Sequence, residues 1–283
     1  MNVSVVIPAK NEGAPLKALL PKIKKVLPQA EVIVVNDGSN DDTSEVCIDC
    51  SVTEVKHTYS KGNGAAIKSG ARAAKGEIVV FMDADGQHNP EDIPRLLAEI
   101  NNGADMVVGA RSSSSQANVG RGLANAFYNR LASYVTGHKV EDLTSGFRAV
   151  VKNKFLKFLY LLPNGFSYPT TSTIAFFRAG YSVLYIPIVA AKREGESHIS
   201  PIKDGIRFLL IIFRIATLYS PLKLFLPVAL SLFLIGSGYY GYTFITEGRF
   251  TNMSALMFTT SLMIFMVGLV SEQITTLMFK DSE

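Results

Sequence analysis

Glu77-Ile-Val-Val-Phe-Met-Asp83-Ala-Asp85-Gly-Gln87-His88 is the stretch on which the fold turns. Its continuous apolar run, rich in β-branched residues, reads as a strand buried on both faces. The run stops at Asp83-Ala-Asp85-Gly86, where two carboxylates stand two residues apart. Hard cations such as Mg²⁺ or Mn²⁺ take oxygen ligands of this kind and bind a substrate diphosphate as well. Asp and Gly also favour turns, so the spacing alone describes a structural turn equally well. Its place at the end of a buried strand favours the metal.

Working outward, the same grammar repeats. Val3–Ile7, Glu31–Val35, Val52–His57 and Asp105–Gly109 read as strands, and 14–27, 43–50, 64–74 and 90–101 read as helices. Leu16, Leu19, Leu20, Ile23, Val26 and Leu27 carry the helical spacing of the first. Alternation of strands and helices with continuous apolar strands predicts an α/β domain with a mostly parallel sheet and helices on both faces. Ligands in such folds bind beyond the carboxyl ends of the strands. The polar clusters fall there.

Asp37, in Val35-Asn-Asp37-Gly-Ser39, is placed to accept hydrogen bonds from a base or ribose, or to cap the helix that follows, as Asp41, Asp42 and Thr43 also could. Lys61-Gly-Asn-Gly64 leads into a helix and offers an anion site, with Lys68 as a further cation, but lacks the spacing of a Walker A loop. Arg111, Arg121, Arg130 and Arg148 are candidate phosphate clamps, Arg148 within Thr144-Ser-Gly-Phe-Arg148; taken singly, surface arginines are usually just solvated. Lys192-Arg193-Glu-Gly-Glu-Ser197 is a polar segment that either closes over a ligand or links elements.

Composition divides the chain. Mean hydropathy is +0.22 and only 18% of residues are charged, which excludes a disordered protein. Only seven charged residues lie after Tyr219, and 224–246 and 250–271 hold none. Each run is long enough to cross a hydrocarbon core of about 30 Å, and Glu247-Gly-Arg-Phe250 joins them tightly. Small residues such as Gly236, Gly238, Gly241 and Gly268 permit close helix packing and would also serve a homo-oligomer. Before the first run, 200–219 carries Ile202, Ile206, Leu209 and Phe213 on one helical face and Lys203, Arg207 and Arg214 beside it. That pattern predicts an amphipathic helix on an anionic membrane surface, or an ordinary packed helix. The cations, with Lys223, place the N-terminal part and both termini in the cytoplasm. The apolar start Met1–Pro8 is too short for a signal peptide and reads as a strand. The expected division is 1–199 for the catalytic domain, 200–221 for the surface helix and 222–283 for a two-span hairpin with a short cytoplasmic tail.

The net charge of +4 is modest and fits a membrane surface and a phosphate-bearing substrate. No basic stripe with interleaved aromatics marks a nucleic-acid binder. Cys47 and Cys50 form a lone C-x-x-C, read as reduced thiols rather than a redox or zinc site.

In this order, VVIPAKNE (5–12), VNDGS (35–39), KGNGAA (61–66), DADGQH (83–88), GAR (109–111) and TSGFRA (144–149) resemble the family-2 glycosyltransferases of the GT-A, Rossmann-like fold. More narrowly, the chain resembles the polyprenyl-phosphate glycosyltransferases, the group that includes dolichol-phosphate mannose synthase. The resemblance implies that Pro8, Ala9, Glu12 and Asp37 surround the base and ribose, with Lys61 near the nucleotide. It implies that Asp83, Asp85 and Gln87 serve the metal and diphosphate, with Asp85 catalytic. Arg111 and Arg121 would hold the acceptor's phosphate, with Arg148 and Arg193 as further phosphate contacts. His198 departs from the Lys that such relatives often carry after the Ser.

The implied reaction moves a hexose from a nucleotide sugar, UDP-glucose or GDP-mannose, to undecaprenyl or dolichyl phosphate, with inversion. The acceptor phosphate is already anionic, so positioning and charge neutralisation replace a strong base. A processive polysaccharide synthase is disfavoured, since the chain has no Trp for a Gln-x-x-Arg-Trp motif and two spans cannot enclose a pore. A membrane transferase with a non-lipid acceptor and a silent nucleotide-sugar-binding scaffold remain as alternatives.

Overall fold

A computed structural model gives the architecture and describes residues 2–111, 119–165, 167–190, 210, 213, 216–217 and 220–279. Strands β1 (Val3–Ala9), β2 (Glu31–Asn36), β3 (Thr53–Lys56), β4 (Ile78–Phe81), β5 (Met106–Arg111), β6 (Arg148–Val151) and β7 (Val183–Ile188) form one sheet in the order β3-β2-β1-β4-β6-β5-β7. All neighbours are parallel except β6, which runs antiparallel between β4 and β5. The mostly parallel α/β sheet is as expected. β6 and β7 are additions to the five strands read from the sequence.

Strand residues alternate between two cores, as the pleat dictates. Val5, Ile7, Val34, Val80 and Val107 face helices α1 (Gly13–Val26) and α4 (Ile93–Asn101), whose Leu16, Leu20, Ile23 and Leu96 fill that side. Each such buried aliphatic contributes about 2 kcal/mol. Val6, Val35, Phe81, Val108 and Val150 face the other side, with α3 (Asn63–Ala73) and α7 (Tyr168–Arg178) supplying Ile67, Ile174 and Phe176. Gly70 lets α3 lie flat on the sheet, since a Cβ there would sit 2.2 Å from Val6 Cγ1. Helix α2 (Thr43–Asp49) carries Cys47, whose thiol burial pushes up to about 11; Cys47 and Cys50 are not joined by a disulfide. Helices α5 (Val119–Thr136) and α6 (Lys152–Leu156) flank β6 in sequence.

The chain ends in two long apolar helices, α8 (Pro221–Glu247) and α9 (Asn252–Phe279). Both are long and apolar enough to cross a membrane, and Phe233, Ile235, Leu256, Met263 and Val270 are exposed. Gly248, at φ +65, ends α8 in a left-handed cap. Small residues bring the helices together: Gly236 faces Met257, Gly268 faces Phe225, and the Ser261 hydroxyl donates to Ala229 O at 2.7 Å. The expected amphipathic helix lies almost wholly outside the described residues.

Polar contacts join this hairpin to the sheet domain. Glu272 on α9 accepts from Arg178 Nη2 at 3.3 Å and from Leu222 N at 3.2 Å, so one carboxylate ties α7 to the start of α8 and the C-terminal part of α9. Lys223 Nζ donates to Val135 O at the end of α5 at 2.9 Å, and Tyr134 donates to Lys223 O at 3.1 Å. A cation at a helix C-terminus is also favoured by the helix dipole.

Candidate active site

The polar residues that follow β1, β2, β4 and β5 gather at the carboxyl edge of the sheet. Asp37 follows β2, and its amide donates to Ala9 O at 2.9 Å, so the ends of β1 and β2 are tied together. Its carboxylate accepts four bonds: from His57 Nδ1 at 2.7 Å, and from the Ser60 hydroxyl, Lys61 N and Gly62 N at 2.8 Å each. Burial opposes the charge, but these bonds outweigh it and hold Asp37 down at about 2. Ionised Asp37 assigns a proton to His57 Nδ1, and Nε2 meets Ser69 Oγ at 2.8 Å. The carboxylate expected to touch a base or ribose therefore serves first to fix the 57–62 loop. Lys61 itself is exposed, its ammonium 5.6 Å from the centroid of the Tyr59 ring.

The sign of the Asp37 effect follows from its depressed value. Its stabilisation is complete above about pH 4, the unfolded carboxyl's range, and is lost as pH falls through about 2. The gap in thermal midpoint between the wild type and Asp37→Asn is expected to shrink across that window. A gap of constant size would show that the bonds do not hold a charge.

The anion site expected at the start of α3 is corrected by the structure. Gly64 N donates to Gly165 O at 3.0 Å and Ala65 N to Asn164 O at 2.9 Å, so a distant loop takes these amides. A Cβ on Gly64 would sit 2.0 Å from Pro163 O, which leaves no room for a ligand. Lys68 joins the same loop through Leu162 O and Asn164 Oδ1.

Asp83 and Asp85 follow β4. Asp85 Oδ1 accepts from Gln87 N at 3.2 Å, and Gly86 adopts φ +71 to make the turn. Gly146 backs Asp83: a Cβ there would lie 2.5 Å from Asp83 Oδ2. The cradle is thus open to the carboxylate only because residue 146 is glycine. The donor set, two carboxylates and the Gln87 amide oxygen, suits a hard divalent cation. Among the described residues no group of three or more His, Cys, Asp or Glu is arranged to hold an ion alone. A diphosphate would complete the shell.

Arg111 closes β5. Its N, Nε and Nη2 donate to Asp142 at 3.2, 2.8 and 2.9 Å, and Nη2 also donates to Thr144 Oγ1 at 2.6 Å. Burial opposes the charge on both partners, but the paired hydrogen bonds outweigh it, holding the Asp142 carboxyl low and Arg111 protonated. Asp83 and Asp85 add to the field around Arg111. Asp142 is a site residue that sequence reasoning missed; its signal was an acid two residues before Thr144.

Arg148 is the second correction. Expected to contact phosphate, it is fully buried. Nε and Nη2 donate to Ser145 O, and Nη1 donates to Pro169 O at 3.0 Å, Ser172 Oγ at 2.8 Å and Thr173 Oγ1 at 3.1 Å. The guanidinium lies over the Tyr168 ring, whose hydroxyl donates to Gly146 O at 2.8 Å. It holds the turn that backs Asp83 and is shut off from solvent.

Of the remaining expected residues, Pro8 and Ala9 close β1, and Glu12 starts α1 with its carbonyl accepting from Leu16 N at 3.1 Å. Arg121 lies near the start of α5, with its side chain outside the described residues; Arg193 lies outside them altogether.

Comparison with known proteins follows the same division. Residues 4–159 match the family Glycosyl transferase family 2, and residues 220–277 match the GtrB C-terminal hairpin. The chain is 29% identical, over 96% of its length and 88% of the relative, to an undecaprenyl-phosphate 4-deoxy-4-formamido-L-arabinose transferase of Pectobacterium atrosepticum. It is 30% identical, over 71% of its length and 88% of the relative, to an undecaprenyl-phosphate mannosyltransferase of Micrococcus luteus. A dolichol-phosphate mannosyltransferase of Pyrococcus furiosus is 40% identical over 39% of the chain and 33% of its own length. In fold, the chain resembles glucosyl-3-phosphoglycerate synthase of Mycobacterium tuberculosis, solved with Mn²⁺, UDP-glucose and phosphoglyceric acid, at a TM-score of 0.63 and 21% identity over 76% of this chain and 79% of that one. A second structure of that enzyme, with Mg²⁺ and UDP, gives 0.59 and 24% over 75% and 79%. With its GT-A-like sheet, its carboxylates at the strand ends and its apolar hairpin, the chain belongs to glycosyl transferase family 2 and is a glycosyltransferase.

Proposed function

We propose that this enzyme transfers a hexose from a UDP- or GDP-sugar to a polyprenyl phosphate at a membrane surface, with inversion at the anomeric carbon. The observation that carries the reading is the union, in one chain, of an Asp83–Asp85–Arg111 cluster and an apolar hairpin tied to the catalytic domain through Glu272. The acceptors named for the relatives from P. atrosepticum, M. luteus and P. furiosus support a lipid phosphate here.

The division of labour follows from charge. The 57–62 loop, fixed by Asp37, and the ends of β1 and β2 would receive the nucleoside, with Pro8, Ala9, Glu12 and Lys61 nearest it. Asp83, Asp85 and Gln87 would hold Mg²⁺ or Mn²⁺, which when bound neutralises the diphosphate as it leaves. Arg111, kept charged by Asp142, would hold the acceptor phosphate with Arg121 and Arg193. A phosphate oxygen then attacks the anomeric carbon as the bond from that carbon to the diphosphate oxygen breaks. The phosphate is anionic at neutral pH, so the protein need only align it and shield its charge. Residues 1–199 would form the catalytic domain, 200–221 a surface helix and 222–283 the anchor. The cations Lys203, Arg207, Arg214 and Lys223 favour a cytoplasmic catalytic domain with both termini on that side.

The test uses purified full-length protein with Mn²⁺, undecaprenyl phosphate and radiolabelled UDP-glucose or GDP-mannose in separate reactions. Label from one donor is expected in the organic phase. Label that stays aqueous with both donors, while the protein turns over a soluble acceptor, would overturn the lipid-acceptor reading.

A further inference from the structure

His88 closes the DADGQH run and is assigned no part in the reaction above. Its side chain is 4% exposed, although it stands beside the carboxylates at the sheet edge. The ring stacks on Phe147, with centroids 5.1 Å apart and planes 16° from parallel. Phe147 is itself fully buried and packed against Gly109, where a Cβ would lie 2.8 Å from its ring. The imidazole plane is therefore set by the core. Nε2 lies 3.9 Å from Asp83 Oδ2, about 1 Å beyond a normal hydrogen bond. Among the described residues Nδ1 has no hydrogen-bond partner. With nothing holding a proton on Nδ1, the ring can carry it on Nε2, the nitrogen nearest Asp83.

Two groups thus approach Asp83 Oδ2: Gly146, anchored by the Tyr168 hydroxyl and by the Arg148 turn, and His88. We propose that His88 is a positioning residue for Asp83: when a divalent cation and diphosphate draw the carboxylate into place, Nε2–H donates to Oδ2 and locks its rotamer. The proposal rests on the reading that Asp83 and Asp85 hold a cation. It gives Phe147 and Gly146 of the TSGFRA run a shared purpose, since one aligns the imidazole and the other leaves room for the carboxylate. A fixed hydrogen-bond partner of this kind orients a metal-binding carboxylate and raises affinity for the ion.

The experiment exploits which nitrogen acts. Gln can place its amide N–H near the position of Nε2, whereas Asn reaches only that of Nδ1. Phe keeps the stack on Phe147 and removes both nitrogens. Binding of UDP and of GDP to the full-length protein is measured by calorimetry across a Mn²⁺ titration and without metal, alongside thermal midpoints. For His88→Phe, the Mn²⁺ concentration giving half-maximal nucleotide binding is expected to rise about tenfold, with metal-free binding unchanged and a thermal midpoint no lower than that of the wild type. His88→Gln is expected to return to within about threefold of wild type, and His88→Asn to behave like Phe. Three outcomes would overturn the proposal: a Phe variant with wild-type Mn²⁺ dependence, rescue by Asn instead of Gln, or equal loss of metal-free binding in all three variants. A wild type whose binding of both nucleotides ignores Mn²⁺ would instead remove the metal reading, and the proposal with it.

Discussion

Asp85→Ala is expected to lower sugar transfer at least 10³-fold while the thermal midpoint moves by no more than about 2 °C. The loss of rate follows from charge. In the proposed reaction, departure of a nucleoside diphosphate would concentrate negative charge at the sheet edge, and a cation held by two carboxylates would contribute several kcal/mol there. Losing about 4 kcal/mol of that stabilisation is a factor of about 10³. The small stability effect follows from the structure. Asp85 is half-buried in a turn beyond β4, its carboxylate accepts a 3.2 Å bond from Gln87 N, and Gly86 sets the turn's geometry independently. Initial rates at saturating donor, beside a melting curve of the same preparation, make the check. Transfer near the wild-type rate would remove Asp85 from the chemistry.

Arg148→Ala is expected to fail in the opposite way. Truncation removes a large, fully buried side chain and takes the guanidinium donors from Ser145 O and from the Ser172 and Thr173 hydroxyls, while Pro169 O still accepts from Ser172 Oγ. Each acceptor left without a donor costs about 1–3 kcal/mol, and the cavity adds to this. The retained desolvation cost of a buried cation is relieved, so a net loss of about 3–5 kcal/mol is expected. In a domain of this size that lowers the thermal midpoint by roughly 10 °C. Transfer by the fraction still folded should keep a near-normal KM for the acceptor. An unchanged midpoint with a large rise in that KM would restore Arg148 as a phosphate contact.

These two variants also mark where sequence reading succeeds and where it stops. β1, β2, β4 and β5 are legible because continuous apolar runs end abruptly at polar clusters, and the edge where Asp37, Asp83 and Arg111 meet follows from that alternation. β6 is hidden because it is four residues long and opens with an arginine. β7 is hidden by Pro187, which an edge strand tolerates. The misplaced anion site and the misread Arg148 share a cause. Residue type shows that an amide or a guanidinium can bind an anion, but its actual partner comes from a segment far along the chain. Asn164 and Gly165 take the amides of α3, and 169–173 take much of the guanidinium. His57 and Asp142 escaped notice for the same reason, since each acts through a partner 20 or more residues away.

The bolted junction at Glu272 has a mechanical consequence. The uncharged run 224–246 is 23 residues long, about 35 Å as a helix, and slightly exceeds a hydrocarbon core of about 30 Å. Such a mismatch is absorbed mainly by tilt. A hairpin on a loose tether would tilt without disturbing anything else. Here Arg178 and Leu222 meet at Glu272, and Lys223 grips the end of α5, so the hairpin and the catalytic domain lean as a lever and its load. In a hairpin that spans a bilayer, as proposed above, membrane thickness would set the angle at which the sheet edge faces the headgroups, and the acyl length of the surrounding lipids would become a mechanical input to the reaction.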